Sequence, residues 1–596
     1  MWILRTGQHW FFIVLAIQLV RQLVFLRYGL GADEAHYALY GMRLDWSYFD
    51  HPPLVGWVQA LFYQVFGKHD FAFRLAPAFA ALIFAWFVHR IFERARVCQG
   101  AIPSNLELCT HLATQLSFLP SALWVFCLPD TLLAPIALWV VDILQRLALN
   151  THEPIRPEST SETKTHVEAE ARDDVVSRPQ TSFQEHIKLT SALPKHSPLA
   201  GLRHHFGVYI ELGVALGLAG LAKYTAVLFL PGVLYFFVYL KLQWGTWKRL
   251  ALITAPISAA AVSPVVFWNW QNNWISFKYQ LGHVTPNVEL NWSQFAKSLL
   301  TEIIAYSPFL TLPAMFLLFN LVKKLAAPLQ LKTKIKNFAA TQAAVGSKKT
   351  NDQFADTVTI SNLDLQKHFA TSGGSVNTGI SKQSSFLLAL PIVAIILPTF
   401  LFFRYSSLKE FPLPHWNLVP FLLMMTLPLF FFFSAPKENA TRMALQAFRR
   451  GTVVTAILWM LLHLELLFRL VPWGKESNPY RDLLGWSETK QQVVQFIEAN
   501  RESRDSFVIA VPNWTLGSRA NYYLGELAPV YVIDERFDQF DLWEGRDPAS
   551  ISEVNWGEIL KDRRVILIEK DGFRLDSKIR LQIESQIHEG FIGLGP

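Results

Sequence analysis

GADEAHYALYGMRLDWSYFDHPPLVG, residues 31–56, places Asp33, Glu34, His36, Asp45, Asp50 and His51 directly after the first apolar run of the chain. Charges are costly wherever they meet hydrocarbon. So dense a polar group beside an apolar run reads either as an ordinary solvated loop or as a site of chemistry. The acids alone leave both readings open, and the surrounding sequence has to separate them.

That surrounding sequence is apolar. Of 596 residues, 51% are hydrophobic and 17% charged. Runs near 10–27, 71–92, 109–127, 131–149, 207–222, 225–242, 250–268, 299–322, 385–403, 418–433 and 452–471 each approach the roughly 20 residues a helix needs to cross a bilayer. They predict an all-α polytopic membrane protein with about 11 transmembrane helices. The first run, Trp10 to Leu26, does not read as a cleavable signal, because no small-residue cleavage site follows it. Cys98, Cys109 and Cys127 suggest no disulfide framework. The net charge of +7 gathers in loops between the runs, which reads as an orientation signal rather than as a nucleic-acid surface.

Taking the N-terminus as cytoplasmic puts the basic connections on one side. These hold Arg90, Arg94 and Arg96; Lys241, Lys248 and Arg249; the segment Lys323 to Lys382, with nine lysines against three aspartates; and Lys437, Arg442, Arg449 and Arg450. The 28–70 loop, the Pro129-Asp130 turn, the 270–298 and 404–417 loops and the C-terminal tail then face outward. Pro53 to Phe66 is apolar but short, and suits a helix lying in the interface. Residues 150–205 and 326–383 are polar and aperiodic, and read as disordered cytoplasmic insertions. Gly213, Gly217 and Gly220 lack the strand and the Gly-Lys-Ser/Thr of a nucleotide loop, and their spacing instead lets membrane helices approach closely.

The chain divides at about Val471 into a transmembrane domain, 1–471, and a mixed tail, 472–596. In the tail, 507–513, 530–534 and 565–570 read as buried strands, with helices at 490–500 and 516–524. That alternation predicts a small external α/β domain. Asn291, Asn439 and Asn513 begin N-x-Ser/Thr patterns, which are common by chance.

Lone polar groups stand near the outward ends of other runs. Asp130 follows Pro129 in a short turn, and N-capping of the next helix is its bland explanation. Lys223 is the only charged residue between Glu211 and Lys241; snorkelling to the interface would explain it equally. His415, Trp416 and Asn417 fit interface anchoring. Each is also a functional candidate, since a charge in a span costs on the order of 2–3 kcal/mol.

Several stretches carry a family resemblance: DEAHY (33–37), YFDHPPL (48–54), LFYQVFG (61–67), FRLAPA (73–78), PDTLL (129–133), GLAGLAKYTAVL (217–228), PVVFWNWQNNWISF (264–277), PHWNLVP (414–420), DLLGW (482–486) and RANYYLGELAPVYV (519–532). In order and spacing they resemble the bacterial relatives of the dolichyl-phosphate-mannose protein mannosyltransferases, multi-span enzymes of the C-type glycosyltransferase fold. Lipid A aminoarabinose transferases look like more distant relatives.

The resemblance implies transfer of a hexosyl or pentosyl group from a polyprenyl-phosphate donor to an acceptor hydroxyl of a glycolipid, glycan or protein. Transfer would occur at the external face of a bacterial inner membrane, by a single inverting displacement. The family's acidic motif falls on Asp33 and Glu34. Asp33 would be the base and Glu34 would orient it or touch the sugar. Lys223, with Arg74 second, would neutralise the leaving phosphate; His51 and Asp130 would line the sugar site; and His415 and Asn417 would also contact substrate. No cofactor is implied. A divalent metal is left open, with His36 and Glu34, or His283, as the ligands on offer. A secondary transporter or lipid flippase is the competing class. The lack of an internal repeat and the gathering of polar groups on one side count against it. A membrane assembly factor with an external binding domain would not explain the DEAHY and DHPP cluster.

Overall fold

The structure is a computed structural model that describes residues 9–99, 102, 104–150, 198–241, 243–284, 289–325, 376–432, 439–474, 477–500, 507–547, 554–570, 573–584 and 587. The two expected insertions lie largely outside these residues. Helices nevertheless begin at Pro198 and Val376, inside the segments expected to be disordered.

Among the described residues, seven helices are long and apolar enough to cross a membrane: Asp70–Val97, Pro129–Leu149, Trp244–Gln271, Pro308–Leu325, Leu387–Ser406, Pro414–Phe431 and Asn439–Phe468. Four shorter apolar helices accompany them: His9–Phe25, Leu54–Phe66, Phe206–Ala222 and Tyr224–Tyr239. Two expected runs are broken by proline. The run at 109–127 splits into Ser104–Leu116 and Phe118–Leu123, because Pro120 has no N–H to give to the Leu116 carbonyl. The run at 299–322 splits at Ser307, whose φ of 68° lies in the left-handed region just ahead of Pro308.

The glycine spacing does what small residues do between membrane helices. A Cβ on Gly213 or Gly220 would come within 2.9 Å of Ile257 or 2.8 Å of Val262, so helix Pro198–Ala222 packs backbone-close on helix Trp244–Gln271.

Four elements frame the acidic stretch. Helix α1 is His9–Phe25, α2 is Ala32–Met42, α3 is Leu54–Phe66 and α4 is Asp70–Gln99. Helices α2 and α3 cross at Gly41, where an added Cβ would lie 2.7 Å from Gln59 Cβ. Across the bend between them, Tyr48 stacks on Tyr40 with ring centroids 3.6 Å apart.

The tail folds into a three-stranded parallel sheet in the order β2-β1-β3, with β1 Phe507–Val511, β2 Val530–Val532 and β3 Arg564–Leu567. The central strand β1 is buried along its whole length, as a parallel strand covered on both faces must be. Helix Trp514–Leu524 makes the crossover from β1 to β2. It starts at Asn513, whose side chain accepts a hydrogen bond from the Leu516 N–H, so this Asn is a helix cap. The α/β unit does not stand apart from the spans. Leu30, Ala35, Ala38, Leu39 and Phe73 share one hydrophobic core with Trp486, Val493, Leu516, Ala520 and Tyr522. Helix Trp514–Leu524 thus lies directly on α2.

Candidate active site

Helix α2 begins with the Gly31 N–H donating to Glu34 Oε2 at 2.9 Å. Its two acids, in the first turn, suit the positive end of the helix dipole. They then part company. Glu34 is buried and faces Arg74 of α4, which donates from Nε to Oε1 at 2.9 Å and from Nη2 to Oε2 at 3.0 Å. Arg74 also donates from Nη1 to the carbonyls of Phe25 and Tyr28, and from Nη2 to that of Gly29. All five guanidinium N–H groups are therefore occupied. This corrects two expectations. Arg74 keeps no donor for a phosphate, and Glu34 keeps no oxygen free of a charged or backbone partner. Together they clamp the bend between α1 and α2.

Asp33 is half-buried and makes no hydrogen bond or ion pair among the described residues. Burial pushes its carboxyl above the usual range, His36 pulls it back, and Asp50 and Glu34 push it further up. Asp33 is the acid left available.

One turn on, His36 is buried between two elements. Its Nδ1 lies 3.1 Å from Ser518 Oγ of the α/β unit, and its Nε2 lies 3.1 Å from Tyr40 Oη and 3.5 Å from Asp50 Oδ1. Tyr40 Oη donates to the same Asp50 oxygen. Burial pushes Asp50 up, but His36 and the Tyr40 hydroxyl outweigh it and hold the carboxyl below the usual range. Asp45, the third acid of the loop, turns away and accepts from Trp268 Nε1 at 2.7 Å.

His51 continues the cluster. Its Nε2 is 4.0 Å from Asp50 Oδ2, and its buried Nδ1 has no partner among the described residues. Burial pushes its pKa down to about 4 against the pull of Asp50, and Lys223 adds to the lowering. Lys223 Nζ donates to both oxygens of Asp130, at 2.7 and 2.6 Å, and both side chains are buried. Asp130 is in the first turn of its helix, yet this ion pair, rather than capping alone, occupies its carboxylate. His415 lies within electrostatic reach of Asp130, Lys223 and His51.

Asn417 faces elsewhere: its Nδ2 donates to Glu302 Oε1 at 2.8 Å, and Glu302 is paired with Arg404. So His51, Asp130, Lys223 and His415 lie within electrostatic reach of one another, and Asp33 is linked to them through His36 and Asp50. Glu34 and Arg74 are occupied by each other and by the α1–α2 bend, and Asn417 belongs to a separate buried triad.

The sequence reading missed Tyr40, Ser518, Glu302 and Arg404. Glu302 and Arg404 are lone charges in apolar surroundings, and the reasoning applied to Lys223 would have found them. Nothing local marks Ser518. The pair His36 and Glu34 does not fit a metal site, since Glu34 is turned to Arg74 and both His36 nitrogens are engaged. Among the described residues, no group of three or more His, Cys, Asp or Glu side chains converges as metal ligands would.

A family model described as dolichyl-phosphate-mannose-protein mannosyltransferase matches residues 50–152. The chain is similar to the crystal structure of ArnT from Cupriavidus metallidurans bound to undecaprenyl phosphate, at 14% identity and a TM-score of 0.51, covering 98% of this chain and 96% of that one. The apo structure of the same protein aligns at 14% identity and a TM-score of 0.48, over 97% and 94% of the two chains. No curated protein sequence matches. The likeness to the first structure establishes the fold, a multi-pass helical membrane domain followed by a small α/β unit.

Proposed function

We propose that this chain is an integral membrane glycosyltransferase that moves a sugar from a polyprenyl-phosphate donor to an acceptor hydroxyl. The mannosyltransferase family match across 50–152 and the undecaprenyl phosphate held by a protein of the same fold support the class. The observation that carries the reading is Asp33, a half-buried carboxylate with no hydrogen bond or ion pair among the described residues, while Glu34, Asp45, Asp50 and Asp130 around it are all engaged.

Asp33 takes the proton of the acceptor hydroxyl. The acceptor oxygen bonds to the anomeric carbon as the carbon–oxygen bond to phosphate breaks, and polyprenyl phosphate leaves with the bonding pair. Attack opposite the leaving group inverts the anomeric centre. General-base help of this kind contributes roughly 10²–10⁴-fold. The departing phosphate needs a cation. Lys223 serves here with the N–H left over from Asp130, and His51 and His415 stand within electrostatic reach of that pair. The acceptor is a glycolipid, glycan or protein at the outer face of a bacterial inner membrane, with the N-terminus cytoplasmic and the α/β unit external. Helices paired through glycines would also suit a transporter or flippase. The family match across 50–152 favours the transferase.

The test is mass spectrometry of envelope glycolipids from cells with the active protein and with Asp33→Asn. A sugar-sized mass lost only in the variant supports transfer and names the sugar and acceptor. Identical profiles, with no transfer by the purified protein from polyprenyl-phosphate sugars, would exclude it.

A further inference from the structure

Proton counting around His36 gives its state. The Ser518 hydroxyl has one proton and donates it to the Trp514 carbonyl at 2.8 Å. At 3.1 Å from Ser518 Oγ, His36 Nδ1 must therefore be the donor. Tyr40 Oη likewise gives its one proton to Asp50. The second ring nitrogen, Nε2, at 3.1 Å from Tyr40 Oη, must then also carry a proton.

We infer that Ser518, a residue of the α/β unit, is a positioning residue for the transfer site, holding His36 as an imidazolium against Asp50, three residues along α2 from Asp33. The inference rests on Asp33 being the base of the proposed reaction, and it gives the α/β unit a part in that reaction. A fixed cation beside a base keeps the base ionised to lower pH. Removing the acceptor for Nδ1–H weakens the hold on that cation.

The groups that face this histidine come from every element around it. From α2 there are Asp33, Tyr37 and Tyr40. The following loop brings Asp50 and His51. The helix of Ser518 brings Arg519, whose charge also acts on Asp33, and the Trp514 ring at 5.4 Å. Helix Gln539–Trp543 brings the Phe540 ring, which carries no charge. The cations here are thus His36 and Arg519, and the Arg519 Nη1 donates away from the site, to the Asp482 carbonyl at 2.8 Å.

The full-length protein in lipid supports two measurements. In ¹⁵N-histidine spectra at neutral pH, the His36 signal, identified by its loss in His36→Gln, should show both ring nitrogens protonated. In the pH dependence of kcat/KM, Ser518→Ala should move the acid limb to higher pH. Activity should fall several-fold at the acid end and stay within about twofold of the parent on the plateau. A neutral imidazole at His36, or an acid limb in Ser518→Ala that superimposes on the parent, overturns the inference. A protonated His36 in a protein without transfer activity would sustain the assignment of charge and sink the proposed reaction instead.

Discussion

Lys223 Nζ sits 2.7 and 2.6 Å from the two oxygens of Asp130, and neither side chain reaches solvent to any extent. A buried pair of this kind is two charges that tolerate burial only together. It also fixes the position of the cation that the proposed reaction would set against a leaving phosphate.

Removing one partner of a buried ion pair costs about 3–5 kcal/mol, because the other charge is left unpaired. Lys223→Met and Asp130→Leu should each lower the melting temperature and yield, and the double variant should recover much of the loss. If Lys223 neutralises the donor phosphate, the recovered double variant still fails to transfer. A stable double variant with full transfer would confine the pair to structure.

Asp33→Asn keeps the shape of the side chain and removes its basic oxygen. Melting temperature and donor affinity should stay near the parent while turnover falls by about a hundredfold or more. Full turnover would remove Asp33 from the mechanism.

Glu34→Gln should behave in the opposite way. It leaves Arg74 with a neutral partner in a buried clamp, a loss of about 3–5 kcal/mol on the scale of other broken buried pairs. Thermal stability and yield should drop, and the surviving protein should keep near-normal specific activity. A stable Glu34→Gln with turnover down by a hundredfold would return Glu34 to the chemistry.

The α/β unit should be stabilised by mild acid. Burial, with Asp534 and Asp541 adding to it, pushes Asp538 up to about 7. Burial also pushes Glu544 up to about 7. Unfolded carboxyls titrate near 4. Between about pH 4 and pH 7 the folded form therefore holds protons that the unfolded form has released. Stability rises as pH falls through that window and is lost as pH rises through 7. Proteolysis of the unit within the full chain should be slower at about pH 5.5 than at pH 8, and Asp538→Asn should flatten the difference. A unit more resistant at the higher pH would contradict the assignment.

Reporter fusions at Lys349 and at Asp571 should report opposite sides of the membrane, following the asymmetry of Lys and Arg along the chain. The same side for both would overturn the orientation proposed above.

Hydrophobicity and periodicity are local properties, so the membrane class, the apolar runs and the strand–helix alternation of the tail were legible in the chain before any folding. So were the gathering of acids and histidines after the first run and the use of Gly213 and Gly220 for helix packing. Proline breaks at Pro120 and Pro308 were legible in principle, since proline acts on its own neighbours. The pairing of charges was not. Glu34 finds Arg74 forty residues away, Asp130 finds Lys223 across 93, and His36 finds Ser518 across 482. A charge can be buried only against its partner, and which partner arrives is fixed by how the helices pack. The same packing made Arg74 and Glu34 a clamp, left Asp33 with no hydrogen bond or ion pair among the described residues, and brought the α/β unit against α2.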